Sequence, residues 1–391
     1  MDHDQITSGA KIDEHRRRPR HCLCCANAPD TDEHVAPEAI GGRLWAPILC
    51  STHNGVANIG ADQPLSKNFA PLVTMLQAPR QRGGAGAEFT ATDANGDSII
   101  IVAEGFAKQR SLDVKRRDKS GRIAFAEGDL SRLDSLPKNA YSEGGQRHII
   151  AKITIPEARF GVTSDDTITS GLLKMALHFV AGFVTDVNIE DARALLPFIS
   201  GEKKPTGDMI RTPFLDEDVF PEEWPPRHEI TCFRDGESLL LTILLFGAYA
   251  YAVRLQLAAD LPTGIRYTQT LGENYPKFFD GIARPASLDW NRRPQDSAPD
   301  ARAWSQPIER RLKRIYEHGA EQAIRARCRR AFELALNESG NFGDLWDRYR
   351  AALQLECFSA EDVHVIVTIG RKLHNDGKNA WEIPVALGEA A

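Results

Sequence analysis

Four residues near the amino terminus have the types and the spacing of a metal site. Cys22 and Cys25 are separated by two residues, and so are Cys50 and His53. Each two-residue spacing lets one backbone turn direct two side chains toward the same point, so two such pairs supply four tetrahedral ligands. Thiolate and imidazole groups are the ligands that zinc prefers. The pattern therefore predicts a structural zinc site.

The first of these pairs has an alternative assignment. His21 and Cys24 also have a two-residue spacing, so the pair could be shifted by one residue. The three cysteines farther along the chain are isolated in apolar or helical surroundings, and we expect them to be buried as small apolar side chains. These are Cys232, Cys328 and Cys357.

Residues with catalytic chemistry lie between and just after the two zinc pairs. Glu33 and His34 precede the run Pro37-Glu38-Ala39-Ile40-Gly41-Gly42, and Asn54 directly follows the second pair. Taken together with the zinc pairs, this set resembles the zinc-containing branch of the HNH endonucleases. The resemblance covers residues 21–78.

The resemblance implies a ββα-metal fold, in which a hairpin carries Glu33 and His34 and the following helix carries Asn54. It also implies that His34 is the general base and that Glu33 and Asn54 hold a catalytic Mg²⁺ or Mn²⁺. The chemistry of phosphodiester hydrolysis agrees with these roles. A neutral imidazole can take a proton from water near neutral pH, and a hard divalent ion takes carboxylate and amide oxygens as ligands.

The sequence departs from the family pattern at three positions. His53 stands where a cysteine is more usual, and Glu33 stands where many members have aspartate. No histidine follows Asn54 in the adjoining helix, so the last position of the pattern falls on Asn58 or Asp62. Asp62 would then be a second carboxylate at the catalytic metal, or else an ordinary acidic residue at a helix start.

Composition limits the class of protein. The formal net charge of −6 argues against a protein that coats nucleic acid indiscriminately, whereas a nuclease needs only local positive charge. A hydrophobic content of 42% with 26% charged residues is typical of soluble globular chains. The uncharged segment 238–253 is short for a membrane span and predicts two buried strands. With no apolar leader and clustered cysteines, we expect a cytoplasmic protein that does not enter membranes.

The predicted fold class is α+β: an HNH module with its structural zinc, a mixed α/β region and a helical carboxyl-terminal segment. The predicted divisions are a basic flexible arm (1–20), the nuclease module (21–78), a mixed strand and helix domain of unknown role (88–283) and a helical region (306–375). Within these we predict strands at 88–103 and 148–155, helices at 172–184 and 189–199, a β-meander at 229–257 and a linker at 284–307.

Two arginine-rich segments are candidates for contact with nucleic acid. The arm contains Arg16, Arg17, Arg18 and Arg20, and a helix predicted at 306–337 contains six arginines of interest: Arg310, Arg311, Arg325, Arg327, Arg329 and Arg330. Each segment is either a solvated basic surface or a site that binds nucleic-acid phosphates.

The expected function is cleavage of double-stranded DNA, with defence against foreign DNA as a hypothesis from family habit. We expect the carboxyl-terminal region to mediate self-association or binding of a partner protein. One alternative is a zinc-ribbon-like nucleic-acid-binding module without catalysis, in which Glu33, His34 and Asn54 are incidental. The other is a nuclease that acts on RNA or structured nucleic acid.

Overall fold

The protein has a mixed α+β fold with antiparallel sheets, seen in a computed structural model. The structure describes residues 15–76, 89–92, 98–101, 107–109, 113–117, 123–127, 166–211, 219–220, 226–257, 261, 263–271, 276–291, 301–337, 344–356, 358 and 360–384. Contacts divide the chain into two compact units. Unit 1 takes the described residues of Met1–Val73 and Gly161–Ile315, and unit 2 takes those of Thr74–Gln77, Ala85–Phe160 and Tyr316–Ala391.

Unit 1 begins with a hairpin followed by a helical stretch. Its elements are β1 (Thr31–His34), a 3₁₀ turn (Glu38–Ile40), β2 (Trp45–Leu49), α1 (Ser51–Ala57), a π-helical turn (Asn58–Asp62) and α2 (Gln63–Met75). β1 and β2 are antiparallel, with His34 opposite Trp45. The loop between them needs its two glycines: Gly41 has a φ of 89°, and a Cβ at Gly42 would lie 2.1 Å from the carbonyl oxygen of Ala36.

The larger part of unit 1 is a six-stranded sheet with two helices. The elements are α3 (Asp166–Phe179) with a π-helical turn (Val180–Val184), α4 (Ile189–Ile199), β8 (Ile210–Arg211), β9 (Arg227–Asp235), β10 (Ser238–Leu245), β11 (Tyr249–Leu255), β12 (Gly264–Thr270) and β13 (Lys277–Ile282). The strand order is β13-β12-β9-β10-β11-β8. Every residue of β10 is buried, since α3 packs across β8, β10 and β11 while Leu288 and Trp290 cover Leu240.

Close helix packing places α3 beside the hairpin and the π-helical turn Asn58–Asp62. A Cβ at Gly171 would lie 2.9 Å from the Cβ of Leu65, and one at Gly60 would lie 2.3 Å from the carbonyl oxygen of Ser200. After α3, a Cβ at Gly182 would lie 2.9 Å from the Cβ of Ala46 in β2. Glycine at these contacts lets the backbones approach closely, so α3 and its π-helical turn lie against α2 and β2, and the end of α4 lies against the π-helical turn Asn58–Asp62.

Several predicted elements of unit 1 are confirmed. The helix predicted at 189–199 is α4, the one at 172–184 corresponds to α3 with its π-helical turn, and the β-meander is β9, β10 and β11. The uncharged segment 238–253 forms β10 and most of β11, which are joined at Phe246 and Gly247, both with positive φ. Within the described part of the chain, no helix is long and apolar enough to cross a membrane.

Two segments predicted to be loose make specific contacts where they are described. In the arm, the Arg16 guanidinium lies 3.7 Å from the ring centroid of Trp45, and Arg17 forms a 2.7 Å ion pair with Asp186. In the predicted linker 284–307, Leu288 and Trp290 are buried against the sheet, and the long helix already begins at Ala301. The arm and linker predictions overlooked these contacts because both segments are rich in polar residues.

The other elements, most of which belong to unit 2, are β3 (Phe89–Thr92), β4 (Ser98–Ile101), β5 (Ala107–Gln109), β6 (Asp113–Arg117), β7 (Ile123–Glu127), α5 (Ala301–Asn337), α6 (Leu345–Leu355) and α7 (Ala360–Asn375). β3 and β4 form the antiparallel pair predicted within 88–103. The later part of α5 packs with α6 and α7 around Phe332 and Tyr349. Cys328 is buried in this cluster and Cys232 in the sheet, as predicted; Cys357 and the strand predicted at 148–155 lie outside the described residues.

Candidate active site

The structure gathers Cys22, Cys25, Cys50 and His53 into one group that could bind a metal ion such as zinc. Their ligand atoms all lie within 4.8 Å of one another. Neighbouring ligand atoms are 3.3 Å apart for Cys50 Sγ and His53 Nδ1, 3.6 Å for Cys22 Sγ and His53 Nδ1, and 3.8 Å for the Sγ atoms of Cys25 and Cys50. A tetrahedron around zinc with bonds of about 2.0 to 2.3 Å has edges of about 3.3 to 3.8 Å, and these three distances agree with such edges.

The alternative ligands of the first pair have other contacts. The His21 ring lies 3.0 Å from the carbonyl oxygen of Ala26 on the surface. Cys24 is buried, and its backbone N–H donates to Cys22 Sγ at 3.5 Å, while its carbonyl oxygen accepts a 2.8 Å hydrogen bond from Arg193 of α4. The backbone of Cys24 therefore supports the cluster, and burial raises the pKa of its thiol to about 12.

The thiols of the cluster differ in their protonation. Burial raises the pKa of Cys22 to about 11. At Cys50 burial acts in the same direction, but hydrogen bonds, first those with His53, lower the pKa to about 6. Because zinc binds thiolates, its binding would release protons from the cluster.

A cleft of about 600 Å³ lies beside this cluster. It is lined by all four residues predicted for catalysis or the catalytic metal: Glu33, His34, Asn54 and Asp62. β1 ends in Glu33 and His34, α1 begins just before Asn54, and the π-helical turn ends at Asp62. Asn58, the other candidate for the last position of the family pattern, also lines the cleft.

A lysine that was not predicted lies between the two buried carboxylates. Lys174 of α3 is fully buried, and its ammonium donates hydrogen bonds to Glu33 Oε1, to Asp62 Oδ2 at 2.5 Å and to the carbonyl oxygen of His34 at 3.3 Å. One helical turn later, buried His178 also hydrogen-bonds the backbone of His34. α3 thus anchors the end of β1 while the His34 side chain faces the cleft.

Burial dominates the electrostatics of this carboxylate pair. It raises the pKa of Glu33 and of Asp62, although the charge of Lys174 acts against the shift in both cases. Burial also holds the pKa of His178 well below its usual value, with a further contribution from Lys174. The site therefore contains a buried lysine that is hydrogen-bonded to two carboxyl groups, which also hydrogen-bond each other, and a histidine whose burial favours the neutral imidazole.

The donors lining the cleft suit a hard divalent ion, with one restriction. Carboxylate oxygens from Glu33 and Asp62 and the amide oxygen of Asn54 are the kinds of ligand that Mg²⁺ and Mn²⁺ take. Within the described residues, Asp62 Oδ1 is buried without a hydrogen-bond partner. However, the Lys174 ammonium is bound to one oxygen of each carboxylate. Its positive charge would therefore repel an ion that binds both carboxylates.

The sheet of unit 1 holds the loop between β1 and β2 through buried side chains. Gln269 of β12 donates to the carbonyl oxygen of Gly41 at 2.7 Å and accepts from the backbone N–H of Arg43 at 3.0 Å. The His228 ring lies 2.8 Å from the carbonyl oxygen of Ile40, and burial lowers its pKa to about 4. These contacts fix the backbone that follows His34 along the hairpin.

The structure describes partners within the chain for five of the six arginines named for α5. Arg311 is buried against the carbonyl oxygen of Phe220, and Arg327 and Arg330 pair with Glu356. Arg325 and Arg329 form ion pairs with the acidic residues Glu321 and Glu333 on the same helix. These intramolecular contacts engage Arg311, Arg327 and Arg330 with other parts of the chain, whereas the ion pairs of Arg325 and Arg329 lie along the helix.

Lys174, His178, His228 and Gln269 were absent from the sequence-based site. A signal existed for Lys174: it is the one charged side chain in the apolar run Leu172–Val184. A buried lysine requires charged or polar partners, so its presence in a buried helix indicates a polar site. The sequence did not show which residues those partners would be.

Comparison of the chain with protein-family models, with curated proteins and with solved structures finds no match. Similarity therefore assigns no family, and the function is inferred from the cleft and the cysteine–histidine cluster.

Proposed function

We propose that the chain is an HNH-type endonuclease that hydrolyses phosphodiester bonds of DNA with the aid of a divalent metal ion. The observation that carries the proposal is the single cleft lined by Glu33, His34, Asn54 and Asp62 beside a cluster suited to zinc. A base, two carboxylates and an amide on one cleft are the groups that metal-assisted hydrolysis of a phosphodiester requires.

The charge of the cleft supports dependence on a metal. Four carboxylates line it, namely those of Asp32, Glu33, Glu38 and Asp62, and the ammonium of Lys174 is fully buried behind two of them. Carboxylates repel a phosphate, so a nucleic-acid backbone would need a bound cation to enter the cleft. A divalent ion there would supply charge stabilisation for a phosphate oxygen and for the leaving oxyanion.

The protein residues take distinct roles in this proposal. His34, partly exposed at the end of β1, accepts a proton from the attacking water. Glu33, Asn54 and Asp62 hold the ion. The hydrogen bonds from Lys174 and His178 to the backbone of His34 keep the base in place during proton transfer.

The test is cleavage of supercoiled plasmid by zinc-loaded full-length protein with and without added Mg²⁺ or Mn²⁺. The wild type should nick or linearise the plasmid only with the added ion. His34→Ala should lower the rate by about 10²- to 10⁴-fold, the usual contribution of a general base. The control is His364→Ala, which removes an exposed histidine of α7 and should leave the rate unchanged.

Two other functions are separated by the same assay. Metal-dependent cleavage that survives in correctly folded His34→Ala protein would show that His34 is not the base. A wild type that binds DNA but cleaves neither DNA nor RNA would be a zinc-dependent binding module. Faster cleavage of matched RNA or branched substrates than of duplex DNA would identify those as the substrate.

A further inference from the structure

The ammonium of Lys174 is enclosed by three acceptors, all of them in the segment that forms the cleft. The side chain is fully buried, and its partners are Glu33 Oε1, Asp62 Oδ2 and the carbonyl oxygen of His34. An ammonium has three N–H donors, so these three acceptors satisfy it. The lysine is therefore held at one point between β1 and the end of the π-helical turn.

Two buried carboxylates at this point require a counter-charge. The side chains of Glu33 and Asp62 are only 5% and 13% exposed, and ionised groups this deeply buried persist only when they are paired. Lys174 provides the pairing in the absence of a metal. A divalent ion would satisfy the same carboxylates, and its charge would be opposed by the ammonium already there.

We propose that Lys174 is a positioning residue of the cleft, whose ammonium holds Glu33 and Asp62 together and competes with a divalent ion for them. The inference deepens the proposed function, on which it rests, by naming what sets the metal affinity of that site. Lys174 keeps the two carboxylates assembled when no ion is bound, and its charge weakens binding of the ion. Lys174 contacts only Oδ2 of Asp62, so Oδ1 is the oxygen of this carboxylate that an ion could bind without displacing the ammonium.

The test measures Mn²⁺ binding to zinc-loaded full-length protein by the electron paramagnetic resonance signal of the free ion. Lys174→Met removes the ammonium with little change in side-chain length, and it should bind Mn²⁺ more tightly than the wild type by on the order of tenfold. Lys174→Gln, which is also neutral but can still donate hydrogen bonds to the carboxylates, should show a gain of the same sign. If Lys174→Met does not fold, Lys174→Gln tests whether loss of the positive charge increases Mn²⁺ affinity.

Two controls assign the gain to the carboxylate pair. Lys67→Met removes the same charge from an exposed position on α2 and should leave Mn²⁺ affinity unchanged. Glu33→Gln combined with Lys174→Met should abolish the gain, because one of the two carboxylates is lost. Zinc content is measured for each variant so that Mn²⁺ in the cysteine–histidine cluster is not counted.

Equal or weaker Mn²⁺ binding in folded Lys174 variants would overturn the inference, and so would an equal gain in Lys67→Met. The outcome is separable from that of the cleavage assay. A wild type that cleaves nothing, with Lys174 variants that gain affinity, would remove the proposed function and leave the competition intact. A wild type that cleaves DNA, with Lys174 variants of unchanged Mn²⁺ affinity, would support the proposed function and overturn the competition between Lys174 and the ion.

Discussion

Replacing Gly60 by alanine should destabilise unit 1, whereas the same replacement at Gly55 should stabilise it. Both glycines lie in the helical stretch that carries Asn54 and Asp62, five residues apart. A Cβ at Gly60 would lie 2.3 Å from both the carbonyl carbon and the oxygen of Ser200. A Cβ at Gly55 would meet no atom within 4 Å.

The magnitude follows from the difference between these surroundings. Alanine in a helix is favoured over glycine by about 0.5 to 1 kcal/mol, and both variants receive this gain. At Gly60 the neighbour is backbone at the end of α4, which cannot rotate away as a side chain could. Forcing a methyl group into such a contact costs about 2 to 3 kcal/mol, so Gly60→Ala should be less stable than Gly55→Ala by that amount.

The assay is thermal unfolding of the two full-length variants, both loaded with zinc. For a unit of this size the difference corresponds to roughly 5 to 10 °C in Tm, with Gly55→Ala above the wild type and Gly60→Ala below it. Melting of the two variants at the same temperature would refute the close approach of the π-helical turn to Ser200. It would also mean that packing against Ser200 does not fix the π-helical turn that ends at Asp62.

Three further predictions concern the cysteine–histidine cluster, a buried histidine and the hairpin loop. Elemental analysis should find about one zinc per chain; Cys50→Ser should lose the zinc and Cys24→Ser should keep it, and full zinc in the Cys50 variant would contradict the ligand assignment. The pKa of His228 falls from 6.5 to about 4 on folding, so the folded state binds fewer protons and stability is lost as the pH falls from 6.5 toward 4. By urea denaturation, the wild type should lose about 2 kcal/mol more than His228→Gln between pH 7 and pH 5, since His178 contributes a loss of the same sign to both proteins; equal losses in both proteins would contradict it. Gln269→Ala leaves the carbonyl oxygen of Gly41 and other buried groups unpaired, and should cost about 3 kcal/mol in the same assay. An unchanged midpoint would show that the hydrogen bonds of Gln269 to the hairpin loop do not contribute to stability.

Local patterns of sequence were sufficient for the cysteine–histidine cluster and for several elements. The spacing of Cys22 and Cys25 and of Cys50 and His53 is a property of short backbone turns, so it could be read without knowing the fold. The β-meander and α4 were predicted because each has its own apolar period and its own turn residues. These features depend on neighbours within a few residues.

The missing parts of the site depend on contacts between distant positions. Lys174 is 141 residues from Glu33 and 112 from Asp62, and Gln269 is 228 residues from Gly41. A buried lysine or glutamine shows that a polar partner exists, but its type does not identify a partner so far away in the chain. The packing of α3 and the order of the sheet strands determine these pairings.

This separation changes how the amino-terminal segment should be regarded. Residues 21–78 were predicted as a module, because the motif residues all fall within it. In the structure, Glu33 has its counter-charge from α3, the His34 backbone is held by Lys174 and His178, and the hairpin loop is held by Gln269. Without α3 and the sheet, two buried carboxylates would lose their cation and the loop would lose its hydrogen bonds. The groups proposed for catalysis therefore come from one short segment, whereas their geometry is set by unit 1 as a whole.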